Sequence, residues 1–208
     1  MGLFDMFKKK SPDCSDELDD FINANQNALQ QKHSYKKGDV IAQKYLVVDV
    51  LGEGGCGTVY LVYYEPHDQV YALKTFKSEY LNTKSVRDRF TKESQIWIDL
   101  DSNPYLVRAY WVDEYQNRMF IGMEWIGPIE KGGPNSLDQY LKVYQPDLTQ
   151  TLIWAIQFCH GMEYAYSKGI KAHRDIKPAN IMIDHNKKVR ISDFGLACVI
   201  LGNKQEKL

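Results

Sequence analysis

The sequence predicts an α+β protein of two lobes: an antiparallel sheet with one long helix, then the first part of a mainly helical lobe. Three observations lead there. Short runs of β-branched and aromatic residues recur between positions 45 and 124, punctuated by turn residues. A helical stripe interrupts them from Ser85 to Leu100, where Phe90, Trp97 and Leu100 share one face. Beyond Ser136 the periodicity becomes helical, and its longest segment, Leu148 to Lys168, ends at Gly169.

Residues 1–37 stand apart from this pattern. Asp13-Cys14-Ser15-Asp16-Glu17-Leu18-Asp19-Asp20 is acidic, and the stretch from Asn23 to Gln31 is polar with few core formers. Such a segment cannot bury enough apolar surface to offset its ordering entropy, so a disordered or partly helical leader is expected. Met1-Gly2-Leu3-Phe4-Asp5-Met6 resembles an N-myristoylation start, but Met6 stands where Ser or Thr is required. Leu3, Phe4, Met6 and Phe7 ahead of Lys8-Lys9-Lys10 offer a membrane surface weak contact at most.

Tyr45 to Leu51 and Thr58 to Tyr64 read as strands on either side of Gly52-Glu53-Gly54-Gly55-Cys56-Gly57. The G-x-G-x-x-G pattern alone is a weak signal, because dinucleotide-binding folds use it to open a helix. A strand follows here, so the glycines belong to a hairpin, where the backbone can approach an anion closely. Val70-Tyr71-Ala72-Leu73-Lys74 is the next strand. Glu93 falls on the apolar face of the helix that follows, three residues after Phe90 and four before Trp97. A carboxylate buried there needs a partner, and Lys74 is the expected one. Pro104 to Val112 and Arg118 to Glu124 complete the sheet. Gly127-Pro128 and Gly132-Gly133-Pro134 mark a loop before a short helix at Leu137 to Leu141. In the long helix Leu152, Ile156, Cys159, Met162 and Tyr166 share a face and are expected to be core. Ile181 to Ile183 and Val189 to Ile191 flank the polar turn Asp184-His185-Asn186-Lys187 as a hairpin that delivers Asp193 beside Asn180.

The densest chemistry lies in His173-Arg174-Asp175-Ile176-Lys177-Pro178-Ala179-Asn180 and Asp193-Phe194-Gly195. A carboxylate can accept a hydroxyl proton, an ammonium can neutralise a phosphoryl group, and a carboxamide with a second carboxylate can hold magnesium. These residues resemble the H-R-D-x-x-x-x-N catalytic loop and the D-F-G motif of the protein kinases, matching at every signature position. Val70 to Lys74 resembles the V-A-I-K motif, and the glycine hairpin resembles the flap over ATP.

The resemblance implies a bilobal kinase fold, with an ATP-binding small lobe over residues 38–125 and a partial large lobe over 126–208. It implies that Asp175 takes the acceptor proton and that Lys177, as in serine/threonine kinases, meets the γ-phosphate. Asn180 and Asp193 are expected to bind Mg²⁺, and Lys74, paired with Glu93, to hold the α- and β-phosphates of ATP. Leu51, Gly52, Gly54 and Gly57 are expected to cover the nucleotide. Val59, Ala72 and Met182 sandwich adenine. Met123 stands at the back of the pocket, and Glu124 and Trp125 follow in the hinge. His173 and Phe194 are expected to be structural, and Arg174 to meet a phosphate on the activation loop.

Two departures stand out: Cys56 replaces an aromatic residue at the glycine-loop tip, and no A-P-E motif follows before Leu208. The chain therefore reads either as the N-terminal part of a serine/threonine kinase or as a truncated, non-catalytic homologue that binds nucleotide or a partner. The implied partner is a protein bearing Ser or Thr. A net charge of −1 and an isoelectric point near 6.5 give no reason to expect a nucleic acid. No apolar run is long enough to span a bilayer or to act as a secretory signal. Cys14, Cys56, Cys159 and Cys198 lack metal-type spacing and read as free thiols of a reducing cytoplasm.

Overall fold

The computed structural model describes residues 34–54, 57–77, 81, 83–130 and 132–194. Residues 1–33 of the leader, Cys56 and the segment from Gly195 onward lie outside the described residues, as do Cys14 and Cys198.

Six strands form one antiparallel sheet in the order β1-β2-β3-β4-β6-β5. They are β1 (Val40–Ile41), β2 (Tyr45–Glu53), β3 (Gly57–Tyr64), β4 (Gln69–Phe76), β5 (Ala109–Tyr115) and β6 (Arg118–Met123). The β3–β4 ladder is unbroken from Gly57↔Phe76 to Tyr64↔Gln69. Here Gly57 is obligatory, because a Cβ would stand 1.9 Å from the Thr75 carbonyl oxygen. Both sheet faces bury side chains, and β4 is buried from Tyr71 to Phe76 except at partly exposed Lys74. Tyr60, Val62 and Leu73 lie on the outer face, where Trp111 stacks on Tyr45 at 5.8 Å and meets the edge of Tyr71 at 4.8 Å. The chain turns from β1 into β2 through Ala42 and Gln43, both at positive φ, and Gly38 N–H donates to the Val47 carbonyl.

Helix α1 (Lys84–Ile98) is capped by Thr83, whose hydroxyl accepts from Val86 N–H. Phe90 and Trp97 are fully buried on its inner face, and the Trp97 indole donates to the Val107 carbonyl at 3.0 Å. The expected strand from Pro104 begins only at Ala109. Residues 105–107 pair instead with the hairpin described below, through Ile191 N–H to Tyr105 O and Val107 N–H to Ile191 O, each 2.8 Å. A local run of β-branched residues cannot reveal which strand will claim it.

Helices α2 (Leu137–Val143) and α3 (Leu148–Ser167) follow, the latter capped by Asp147, whose carboxylate accepts from Gln150 N–H at 2.7 Å. The face of α3 that enters the core is not the expected one. Trp154, Gly161 and Ala165 are buried, Met162 is half-buried, and Leu152, Ile156, Cys159 and Tyr166 are exposed. The helix is apolar on most sides, so periodicity does not select a face. Polar anchors and a close approach select it instead. Trp154 donates to the Lys187 carbonyl, Gln157 accepts from Val189 N–H, and Gly161 lets Ile191 come in (a Cβ there would lie 2.9 Å from its Cδ1).

The hairpin of β7 (Ile181–Ile183) and β8 (Val189–Ile191) closes the described fold. One apolar core runs from the inner sheet face through Phe90 and Trp97 to Ile183, Ile191 and Phe194.

Candidate active site

A cleft of about 360 Å³ opens beneath the sheet. Leu51, Gly52 and Val59 form its roof, Ala72 and Met123 its rear, and Met182 its floor. Glu124 and Trp125 lie along its edge, and Asp193 lies at its inner end. A Cβ on Gly52 would meet open space, so the roof leaves room above the cavity. Gly54 and Gly57 do not line it but close the turn, with Gly54 N–H donating to Gly57 O at 2.9 Å.

The strand-end cation Lys74 donates to Asp193 Oδ2 at 2.5 Å, and both side chains are largely buried. Glu93, its expected partner, faces Arg174 instead, at 3.7 Å. Four charges thus form two pairs in exchanged combination. Asp193 adopts a left-handed backbone with φ 66°, within Lys74's reach, and Arg174, also left-handed at φ 68°, presents its guanidinium to the lower edge of α1. The sequence places all four residues but not this exchange.

The catalytic-loop residues converge on one oxygen. Asp175 Oδ2 accepts from Lys177 Nζ at 2.7 Å and from Asn180 Nδ2 at 2.9 Å. The same amide nitrogen donates to the Asp175 carbonyl, which turns the carboxamide oxygen of buried Asn180 away from that loop. Asn180 O accepts from Ser192 N–H and Oγ, so the hairpin brings the segment bearing Asp193 beside Asn180. His173 is buried, and its Nδ1 accepts from Asp175 N–H. Its Nε2 then donates to Ser192 O at 2.8 Å. Burial pushes its pKa down, more than the nearby carbonyl and carboxylates restore, and the ring packs against Phe194 at 4.6 Å. Asp193 Oδ1 is buried with no hydrogen-bond partner among the described residues.

Several residues that line the cleft were not named as site residues from the sequence, Ile126, Asn135 and Ser192 among them. Ile126 follows directly from Trp125 in the edge segment. Asn135 carries no such signal, because a loop brings it back. Its Nδ2 donates to the Ile126 carbonyl at 3.0 Å and its own carbonyl accepts from Ile183 N–H at 2.8 Å, which closes the loop over residues 127–134.

A family model for the protein kinase domain matches residues 45–207. The chain is similar to the CBL-interacting protein kinase 10 of Oryza sativa, 29% identical over 83% of this chain and 37% of that protein. The serine/threonine-protein kinase PrkC of Bacillus subtilis is 29% identical over 78% of this chain and 24% of its own length. PknJ of Mycobacterium tuberculosis is 30% identical over 79% of this chain and 27% of its own. The chain spans well under half the length of these relatives. Among solved structures, the PknI kinase domain of Mycobacterium tuberculosis superposes with a TM-score of 0.65 at 23% identity, over 78% of this chain and 62% of that one. That likeness shows the bilobal kinase fold, and with a family match over more than three quarters of the sequence the chain belongs to the protein kinase family.

Proposed function

We propose that this chain carries the nucleotide-binding lobe, over residues 38–125, and the catalytic loop, within the partial large lobe 126–208, of a serine/threonine protein kinase. The reaction moves the γ-phosphate of ATP to a Ser or Thr hydroxyl of a protein substrate. One observation carries this reading: Lys177 and Asn180 both donate to one carboxylate oxygen of Asp175, Oδ2. The acceptor hydroxyl oxygen forms a bond to the γ-phosphorus while the bond to the β–γ bridging oxygen breaks. The hydroxyl proton passes to Asp175, and the Lys177 ammonium faces the transferring group. Lys74 faces the α- and β-phosphates beneath Gly52, Gly54 and Gly57. Leu51, Val59, Ala72 and Met182 enclose the base, beside Met123, Glu124 and Trp125. Glu93 serves Lys74 once α1 or its side chain turns toward it.

The residues present fit Mg²⁺. The partnerless Asp193 Oδ1 is an oxygen donor held ready for a cation, and the Asn180 carboxamide oxygen supplies a second hard ligand. When bound, Mg²⁺ neutralises charge on the phosphate oxygens. Among the described residues no helix is long and apolar enough to cross a membrane, and we place the protein in the ATP-supplied cytoplasm. No nucleic-acid partner is proposed.

A second reading, a nucleotide-binding module that transfers nothing, draws on the exchanged pairs, because Lys74 on Asp193 occupies both a phosphate ligand and a metal ligand. Phosphotransfer to a generic protein substrate separates the two. It should be measured for this chain, for a longer piece of the same protein, and for Asp175→Asn in each. Turnover that Asp175→Asn does not reduce overturns the catalytic assignment. Nucleotide binding without turnover in every wild-type form favours the module.

A further inference from the structure

Arg190 points from β8 to the edge of the nucleotide cleft without lining it. Its Nε and Nη2 both donate to the Leu106 carbonyl, at 3.1 and 3.0 Å, and Nη2 pairs closely with the Glu124 carboxylate. Asp184, in the β7–β8 turn, stands 4.0 Å from Nη1. Glu124 is held from its other side too. Its N–H donates to Arg108 O at 2.8 Å, and its carboxylate accepts from Arg108 N–H at 3.3 Å. The Arg190 side chain is only 15% exposed, so its pairs are poorly screened. Three residues after Arg190 comes Asp193, and between them Ser192 is bonded to Asn180. One side chain therefore spans the base-lining segment and the strand that ends at the proposed metal ligands.

Resting on the kinase reading above, we propose that Arg190 is a positioning residue that holds the base-lining edge at Glu124 in register with Asp193 and Asn180. It thereby couples recognition of the base to recognition of metal-bound phosphate. The other end of the edge has its own fastening, because Asn135 ties Ile126 to Ile183. Loss of Arg190 then lets the Glu124 end tilt without detaching the edge. The base keeps its apolar walls, while the phosphates meet Asp193 and Asn180 out of register.

Binding of adenosine, of ADP, and of ADP with Mg²⁺ to this chain tests the coupling. The variants are Arg190→Met, which keeps the apolar stem, Arg190→Lys, which keeps the charge, and Arg190→Gln, which keeps a neutral donor. We expect Arg190→Met to weaken Mg²⁺-dependent tightening of ADP on the order of tenfold, a usual size for coupling between sites. Adenosine affinity should change by less than about threefold, and Arg190→Lys should restore part of the loss. If Arg190→Met does not fold, Arg190→Gln, which keeps a neutral donor toward the Leu106 carbonyl but removes the charge that pairs with Glu124, is expected to show the same selective loss. Equal weakening of adenosine and Mg²⁺–ADP, or an unchanged Mg²⁺ effect, overturns the positioning role. Failure of the wild-type chain to bind any of the three probes overturns the nucleotide-site reading, and this role with it.

Discussion

The two oxygens of the Asp193 carboxylate meet different surroundings: Oδ2 takes the Lys74 ammonium, while Oδ1 is buried without a hydrogen-bond partner among the described residues. An unsatisfied buried acceptor costs about 1–3 kcal/mol, so a cation delivered there recovers free energy that the protein alone does not. Asp193→Asn should therefore abolish the Mg²⁺ dependence of nucleotide binding, and it should also lower the melting temperature, because the largely buried Lys74 ammonium loses its counter-charge. Calorimetric titration with and without Mg²⁺ checks this. Asp175→Asn should act on the other step. Loss of a positioned base lowers phosphotransfer by roughly 10²–10⁴-fold. Nucleotide affinity should stay within a small factor, measured on the same samples. The Glu93–Arg174 pair is looser, at 3.7 Å with Arg174 43% exposed, and a double-mutant cycle on stability should give under about 1 kcal/mol. His173 adds a pH signature. Burial lowers its folded-state pKa below the ordinary 6.5, so the unfolded chain binds the proton first as pH falls. Stability is then present above pH 6.5 and is lost progressively below it. Melting temperatures from pH 7.5 to 5.0 should show this slope, and His173→Gln should flatten it.

At the scale of elements, close packing sets the strictest demands. A Cβ on Gly122 of β6 would lie 2.1 Å from the Trp111 ring, and one on Gly161 of α3 would lie 2.9 Å from Ile191. Gly161→Ala should cost about 1–3 kcal/mol, as overpacking does, while Gly122→Ala should cost more because a rigid indole cannot yield. Denaturant unfolding of both variants checks the order. Elements whose signal is local were legible in the sequence: β2, β3 and β4 by their β-branched and aromatic runs, α1 by Phe90 and Trp97, and the β7–β8 hairpin by its polar turn. Strand β1 was not, since two residues carry no period. The core face of α3 was not, since Leu152 and Ile156 look as buried as Phe158 until Trp154 and Gln157 choose their carbonyl and amide. Residues from Leu51 to Trp125 in the cleft lining were named from the sequence, yet Asn135 enters the cleft, and Arg190 reaches its edge at Glu124, through long-range geometry that no local pattern encodes. The same holds for the exchange of ion-pair partners around Lys74, which four charges within reach of one another decide in three dimensions.

The whole molecule carries an exposed apolar flank along α3, with Leu148 at 75%, Leu152 at 53%, Ile156 at 56% and Tyr166 at 71% exposure. Contiguous patches of this kind mark interfaces or sites of association. Leu152→Gln with Ile156→Gln should raise the concentration at which the chain stays monodisperse in light scattering. Exposed substitutions of this sort change stability by within about 0.5 kcal/mol, so the melting temperature should hold. A large fall in melting would mean that these side chains are buried in solution.

The loop that Asn135 closes has a bearing on how the protein can vary. The chain leaves the cleft edge at Ile126 and is bonded to it again at Asn135, with a turn at Glu130 to Gly133 between. The ends are fastened to each other and Ile129 packs on the core, so added length falls on the exposed part of the span, and doubling a loop's length costs only about 0.6 kcal/mol. A peptide spliced between Gly132 and Gly133 would ride beside the mouth of the cleft at little thermodynamic burden. The site is a natural mooring for added sequence, where a lineage can attach a new docking tag next to the reaction without redesigning the machinery beneath it.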